Sequence, residues 1–101
     1  MEKGTPHIRL HIVKQMVMDG KVKTTASAVA GAIELGFTSP PFDEMCAVIL
    51  ALSLKDFFKS MTAYADHTVW HDVYRPTWNG QQLYLKLIVS NDVLIVSFKE
   101  R

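Results

Sequence analysis

The stretch YLKLIVSNDVLIVSFKER, residues 84–101, does most to limit what this chain can fold into. Two runs of Leu, Ile and Val flank Ser90-Asn91-Asp92, and such runs around an Asn/Asp turn are a hairpin signal. Asn91 and Asp92 suit the two turn positions because both tolerate positive φ better than most residues. Antiparallel partners are then Ser90 with Val93, Ile88 with Ile95, Lys86 with Ser97, and Tyr84 with Lys99. Alternation puts Leu85, Leu87, Val89, Leu94, Val96 and Phe98 on one face, apolar throughout. The other face collects Tyr84, Lys86, Ile88, Ile95, Ser97 and Lys99. Tyr84 and Lys99 are thus expected side by side, their Cβ atoms about 4.5–5.5 Å apart. The hairpin alone leaves two readings open: a functional pair, or exposed residues on the wet side of a sheet.

Upstream, the pattern is helical. Thr5-Pro6 reads as an N-cap followed by proline at the first helical position, with Ile8, Ile12, Met16 and Val17 on one face and Gly20 as the stop. A short link, KVK, leads to Thr24 or Thr25 as a second cap, and the Ala-rich run ends at Gly36. The Pro-Pro of FTSPPF predicts a loop, after which Asp43 starts an apolar helix through Leu52. Ser53 and Asp56 form an approximate capping box for one more helix. Its stripe is Leu54, Phe57, Phe58 and Met61, with Lys59 opposite.

From Thr62 the period changes to alternation. TVWHDVYRP is a strand ended by Pro76, and Asn79-Gly80 makes a turn. The fold class expected is therefore α+β: N-terminal helices, about residues 5–61, packed on one face of a C-terminal antiparallel sheet, about residues 62–101. Trp70 and Tyr74 carry the larger apolar area and are expected to face the core. His71 and Arg75 then join Tyr84 and Lys99 on the free face, and Asp72 is left needing a partner.

At 101 residues the chain supports one domain, with 49% hydrophobic and 21% charged residues. Net charge is +1, so a polyanion would be held by a local patch rather than by the whole-molecule field. The lone Cys46 sits in the apolar MCAVILAL run, reads as core, and excludes an internal disulfide. With no apolar run of membrane-spanning length and a polar MEKGTPHIRL start, a soluble, cytoplasmic protein with no membrane partner is expected.

Few residues then remain for chemistry. The spacing of His7/His11 could hold a metal on a helix, but no Glu stands beside it as in zinc proteases. His67/His71 falls in a strand, where four residues span about 13 Å, too far to share an ion. Neither a metal nor any other cofactor is expected. No P-loop, nucleophile elbow or dinucleotide fingerprint is present. What is left is His71, Arg75, Tyr84, Lys86 and Lys99, with Lys59. These side chains could cleave RNA without a metal, by acid–base catalysis and charge stabilisation of a phosphorane. They could equally hold a single strand by phosphate contact and stacking.

Three segments carry a resemblance over the whole chain: MEKGTPHIRL, FFKSMTAYADHTVWHDVYRP and YLKLIVSNDVLIVSFKE. They resemble the MqsR toxin family, the motility quorum-sensing regulator toxins of bacterial toxin–antitoxin pairs. The resemblance implies a RelE-like fold and a metal-independent mRNA endonuclease favouring GCU triplets, with no strict need for a ribosome. Products would be a 2′,3′-cyclic phosphate and a 5′-hydroxyl. It also implies a cognate MqsA-type antitoxin with a zinc-binding part and a helix-turn-helix part; the toxin is expected to be monomeric when free. The family's functional lysine in KSMT matches Lys59, its tyrosine before LK matches Tyr84, and its lysine in SFKE matches Lys99. One position departs: where the family has glutamine, this chain has His71, which can exchange a proton near neutrality. The expected catalytic set is Lys59, His71, Tyr84 and Lys99, with Arg75 and Lys86 holding RNA. A ribosome-dependent nuclease of the same fold and a non-catalytic binding module are the alternatives.

Overall fold

The computed structural model describes residues 1–101. Its first half runs β1 (Glu2–Lys3), α1 (Leu10–Met18), β2 (Val22–Thr24), α2 (Ala26–Glu34) and α3 (Pro41–Ala51). A single 3-10 turn, Leu54–Asp56, leads into β3 (Phe57–Thr62), β4 (Trp70–Tyr74), β5 (Thr77–Trp78), β6 (Gln81–Val89) and β7 (Val93–Glu100). The strands form one sheet in the order β1-β3-β4-β6-β7-β2, with β5 added to β6, and the helices cover one face. The α+β class is as expected. The sheet is not wholly antiparallel, because Val22–Thr24, overlapping the KVK link, forms β2 and pairs parallel with β7.

The C-terminal hairpin forms as predicted at its open end and differently at its turn. Tyr84 pairs with Lys99 and Lys86 with Ser97, but Ile88 pairs with Leu94 rather than Ile95. The connection is the three residues Ser90–Asp92, closed by Val89 opposite Val93, and neither Asn91 nor Asp92 takes positive φ. A bulge at Val96 then absorbs one residue of β7, since Leu87 faces Ile95 while Lys86 faces Ser97. The bulge changes which side chains are inside. Val93, Ile95 and Phe98 are buried with Leu83, Leu85 and Leu87, whereas Leu94 and Val96 are only half-buried.

Helix boundaries also move. Thr5-Pro6 does not start α1; the helix begins at Leu10 and buries Leu10, Val13 and Val17, leaving Ile12 exposed. Thr25 is the second cap, its hydroxyl accepting the Ala28 N–H at 3.1 Å. The prolines, read as a loop, instead open α3 with Pro40 as N-cap and Pro41 inside the first turn. That suits proline, whose missing N–H has no helical partner there. Cys46 lies half-buried against the core rather than within it, its thiol pushed up by burial and by Asp43.

The largest correction concerns residues 57–62. The capping box of Ser53 and Asp56 is present, but it holds one 3-10 turn, and FFKSMT continues as β3. The strand is paired on both sides, with β1 and with β4, and that pairing overrides the helical spacing of its apolar residues. The C-terminal run of strands therefore starts at residue 57, not 62, and β1 and β2 join it from the N-terminal part.

Asp72 finds its partner in the N-terminal segment. Its carboxylate accepts the backbone N–H of His7 at 2.9 Å and of Ile8 at 3.2 Å, tying residues 7–8 across the sheet. Tyr74 enters the core as expected. Trp70 does not; it is half-buried, with the Lys3 ammonium 4.2 Å from its ring centre and the His7 ring stacked beside that ammonium, which lies 3.1 Å from His7 Nδ1. His7 thus serves this clamp and precedes α1, so it shares no helical face with His11.

Candidate active site

The face of the sheet away from the helices is organised by strand register into three rows. In the middle row Lys59, Val73, Lys86 and Ser97 stand directly opposite one another across β3, β4, β6 and β7. Two residues away along the strands, the next row is Met61, His71, Ile88 and Leu94. Two residues the other way lie Tyr84 and Lys99, with Arg75 just past the end of β4. Rows two residues apart are about 7 Å apart.

Register explains the electrostatics. Val73 is fully buried although it faces away from the helical core, because lysine stems flank it on both neighbouring strands. The Lys99 ammonium lies 5.3 Å from the Tyr84 ring centre and that of Lys86 lies 6.0 Å away, so two cations approach one phenol. Burial, and then the Lys86 charge, hold the His71 imidazole below its ordinary value of 6.5. Both effects disfavour the charged ring, so the neutral ring is the dominant form at neutral pH. Lys59 differs from the others in being paired, at 3.1 Å, with the Glu2 carboxylate of β1.

The structure therefore brings Tyr84, Lys86 and Lys99 together and sets Lys59 in the row of Lys86. It does not bring His71 against Tyr84: four residues of β6 separate their rows, about 13 Å along the strand. Lys86 lies between them. Arg75 turns toward β3, its guanidinium carbon 3.8 Å from the centre of the Phe58 ring.

Phe58 is the residue that sequence reasoning missed. Read as part of a helical core stripe, it stands 43% exposed on this face, with the Lys59 ammonium 5.3 Å from its ring centre. The available signal was the doublet itself. If FFK is a strand, only one of two adjacent phenylalanines can face inward.

The arrangement offers a titratable imidazole on one side of a cationic row and a phenol–ammonium pair on the other. An aromatic ring flanks the same face. The largest concavity of the molecule, about 740 Å³ between α1 and Leu52–Leu54, contains none of these residues. No helix is long and apolar enough to cross a membrane.

Comparison with known proteins bears on this geometry. Residues 5–100 match the family described as motility quorum-sensing regulator, toxin of MqsA. Over 101 residues and the full length of both proteins, the chain is 58% identical to a protein of Escherichia coli (strain K12) named mRNA interferase toxin MqsR.

Proposed function

This chain belongs to the MqsR toxin family, and from that premise we propose that it is an mRNA interferase, an endoribonuclease toxin that stops growth by cutting messenger RNA. The finer reading is cleavage at GCU-type triplets in free RNA, without metal or ribosome, leaving a 2′,3′-cyclic phosphate and a 5′-hydroxyl. Its partner is an MqsA-type antitoxin, its compartment the cytoplasm, and its free form a monomer.

The observation that carries this reading is the three-row layout. Cleavage of this type needs a base for the 2′-OH proton, positive charge for the phosphorane, and a proton for the departing 5′-oxygen on the opposite side. With the scissile phosphate over the middle row, Lys86 and Lys59 face its non-bridging oxygens. The neutral His71 imidazole on one side accepts the 2′-OH proton as the 2′-oxygen bonds to phosphorus. On the other side the P–O5′ bond breaks, the Lys99 ammonium gives the leaving oxygen a proton, and the Tyr84 hydroxyl orients the phosphate. Arg75 and Phe58 hold the flanking nucleotide by charge and stacking. Each role is filled by a side chain of this chain.

The test is purified protein with a short RNA containing one GCU, a scrambled control, and EDTA throughout. Cutting at the triplet alone, with cyclic-phosphate ends, is the expected result. Absence of cutting of both RNAs by folded protein would replace this reading with ribosome-dependent cleavage or with binding alone.

A further inference from the structure

The groove between α2 and β7 has no part in the chemistry above, yet it opens beside Lys99. It encloses about 410 Å³, and its walls include Ser27, Ala30, Gly31, Glu34, Ser97 and Lys99. Ala30 and Gly31 present almost no side chain and Val96 and Phe98 add apolar wall, so the groove joins apolar surface for a flat ring to two serines and one charge of each sign. Glu34 and Lys99 share this groove without closing on each other, the ion pairs of the fold being Lys23–Asp92 and Lys59–Glu2.

Glu34 has no structural reason to be acidic. It is the last residue of α2, and no basic residue shares that last turn. A negative charge there meets the negative end of the helix dipole and weakens the helix. Its carboxylate is exposed, without a hydrogen-bond partner in the fold, on the wall of a groove that ends at a proposed catalytic lysine.

We propose that this groove is a nucleobase subsite for a guanine of the RNA strand, with Glu34 accepting its N1–H and N2–H beside the scissile phosphate that Lys99 serves. The inference rests on the reading of the chain as an RNA endonuclease. An ionised carboxylate only accepts hydrogen bonds, so it selects a base edge rich in donors. Guanine alone presents two adjacent N–H donors on its Watson–Crick edge. Cytosine, adenine and uracil each set an acceptor beside their donor, which the carboxylate repels. Two parallel charge-assisted bonds are strong and fix orientation. Single-stranded RNA leaves that edge free to be read.

The test uses two fluorescent RNAs, each with one GCU among uridines and 2′-O-methyl groups on the triplet to block cutting. In the second RNA inosine replaces guanosine, which keeps N1–H and removes the N2 amino group. Anisotropy titrations with the wild-type protein should give about tenfold tighter binding of the guanosine RNA, and with Glu34→Gln and Glu34→Ala a ratio within about twofold of one. Thermal midpoints of both variants should equal or exceed wild type, because an unfavourable charge has left the helix end. A wild-type ratio near one, or a full ratio kept by both variants, overturns the subsite. Unmodified RNAs separate it from the nuclease reading. Equal cutting of both by wild type removes the subsite and leaves the nuclease, whereas discriminating binding without cutting removes the nuclease and leaves the subsite.

Discussion

Lys99 on β7 stands directly opposite Tyr84 on β6, its ammonium nitrogen 5.3 Å from the centre of the Tyr84 ring. The pair sits on the solvent side of a hairpin whose inner side is fully buried at Leu83, Leu85 and Phe98. In the proposed mechanism, removing either functional group therefore touches chemistry and not packing. Lys99→Ala should lower kcat/KM for RNA cleavage by about 10²–10³-fold, and Tyr84→Phe by a smaller factor. Stability of Lys99→Ala should stay within about 0.5 kcal/mol of wild type in denaturant melts. A Lys99→Ala enzyme of near-normal activity would take Lys99 out of the reaction.

His71 predicts a pH signature of definite sign. Its folded imidazole resists protonation below the ordinary value of 6.5, through burial first and the Lys86 charge second. In the proposed role of base it must be neutral, so the cleavage rate should rise with pH along a limb centred below 6.5. His71→Gln should erase the limb. Lys86→Met should move it upward, toward 6.5, because one of the two causes of the shift has gone. Stability follows the same linkage. The unfolded chain binds the proton more readily, so stability falls as pH drops from 6.5 toward the folded value and is unaffected above it. Denaturant melts across roughly pH 5 to 7 should lose that slope in His71→Gln.

How far these residues could be read from sequence depends on what each one needs. Tyr84 and Lys99 were legible because two departures cancel. The three-residue loop shifts the register by one, and the Val96 bulge shifts it back before Lys86. Ile95 lies between loop and bulge and was placed on the wrong face. Lys59, assigned to the site only through the family resemblance, lies on a strand that reads as a helix, since the spacing of Leu54, Phe57, Phe58 and Met61 fits a helix as well. Only pairing with β1 from the N-terminus and with β4 just downstream decides it. The partner of Asp72 lay 64 and 65 residues away, at Ile8 and His7, beyond any local pattern. β2 was invisible for a simpler reason: three residues cannot show alternation.

Phe58 gives a prediction that separates stacking from mere apolar contact. Its exposed ring lies against the Arg75 guanidinium at 3.8 Å, forming a flat cationic platform on the face that carries Lys59. Stacking of one base on such a platform contributes about 1–3 kcal/mol. Phe58→Ala and Phe58→Leu should both raise KM for RNA by about tenfold or more with little change in kcat, while Phe58→Trp should retain wild-type KM. Leucine keeps apolar area and loses the π face, so a Leu variant as good as wild type would remove stacking from the account.

Gly31 tests how closely α2 is seated on β7. Glycine inside a helix normally costs about 1 kcal/mol against alanine, so Gly31→Ala should be stabilising if local propensity decides. The structure predicts the opposite sign. A Cβ built on Gly31 falls inside the contact shell of the Phe98 carbonyl oxygen, which belongs to the backbone and cannot swing aside like a long side chain. Helix and strand must separate, and overpacking of this kind costs about 1–3 kcal/mol. Gly31→Ala should therefore lower the thermal midpoint, by about 4–8 °C for each kcal/mol lost in a domain of this size. Because Phe98 precedes Lys99, the same displacement should reduce cleavage even in the fraction that remains folded. A raised midpoint would mean that α2 stands off β7, and that the groove beside Lys99 is wider than the glycine implies.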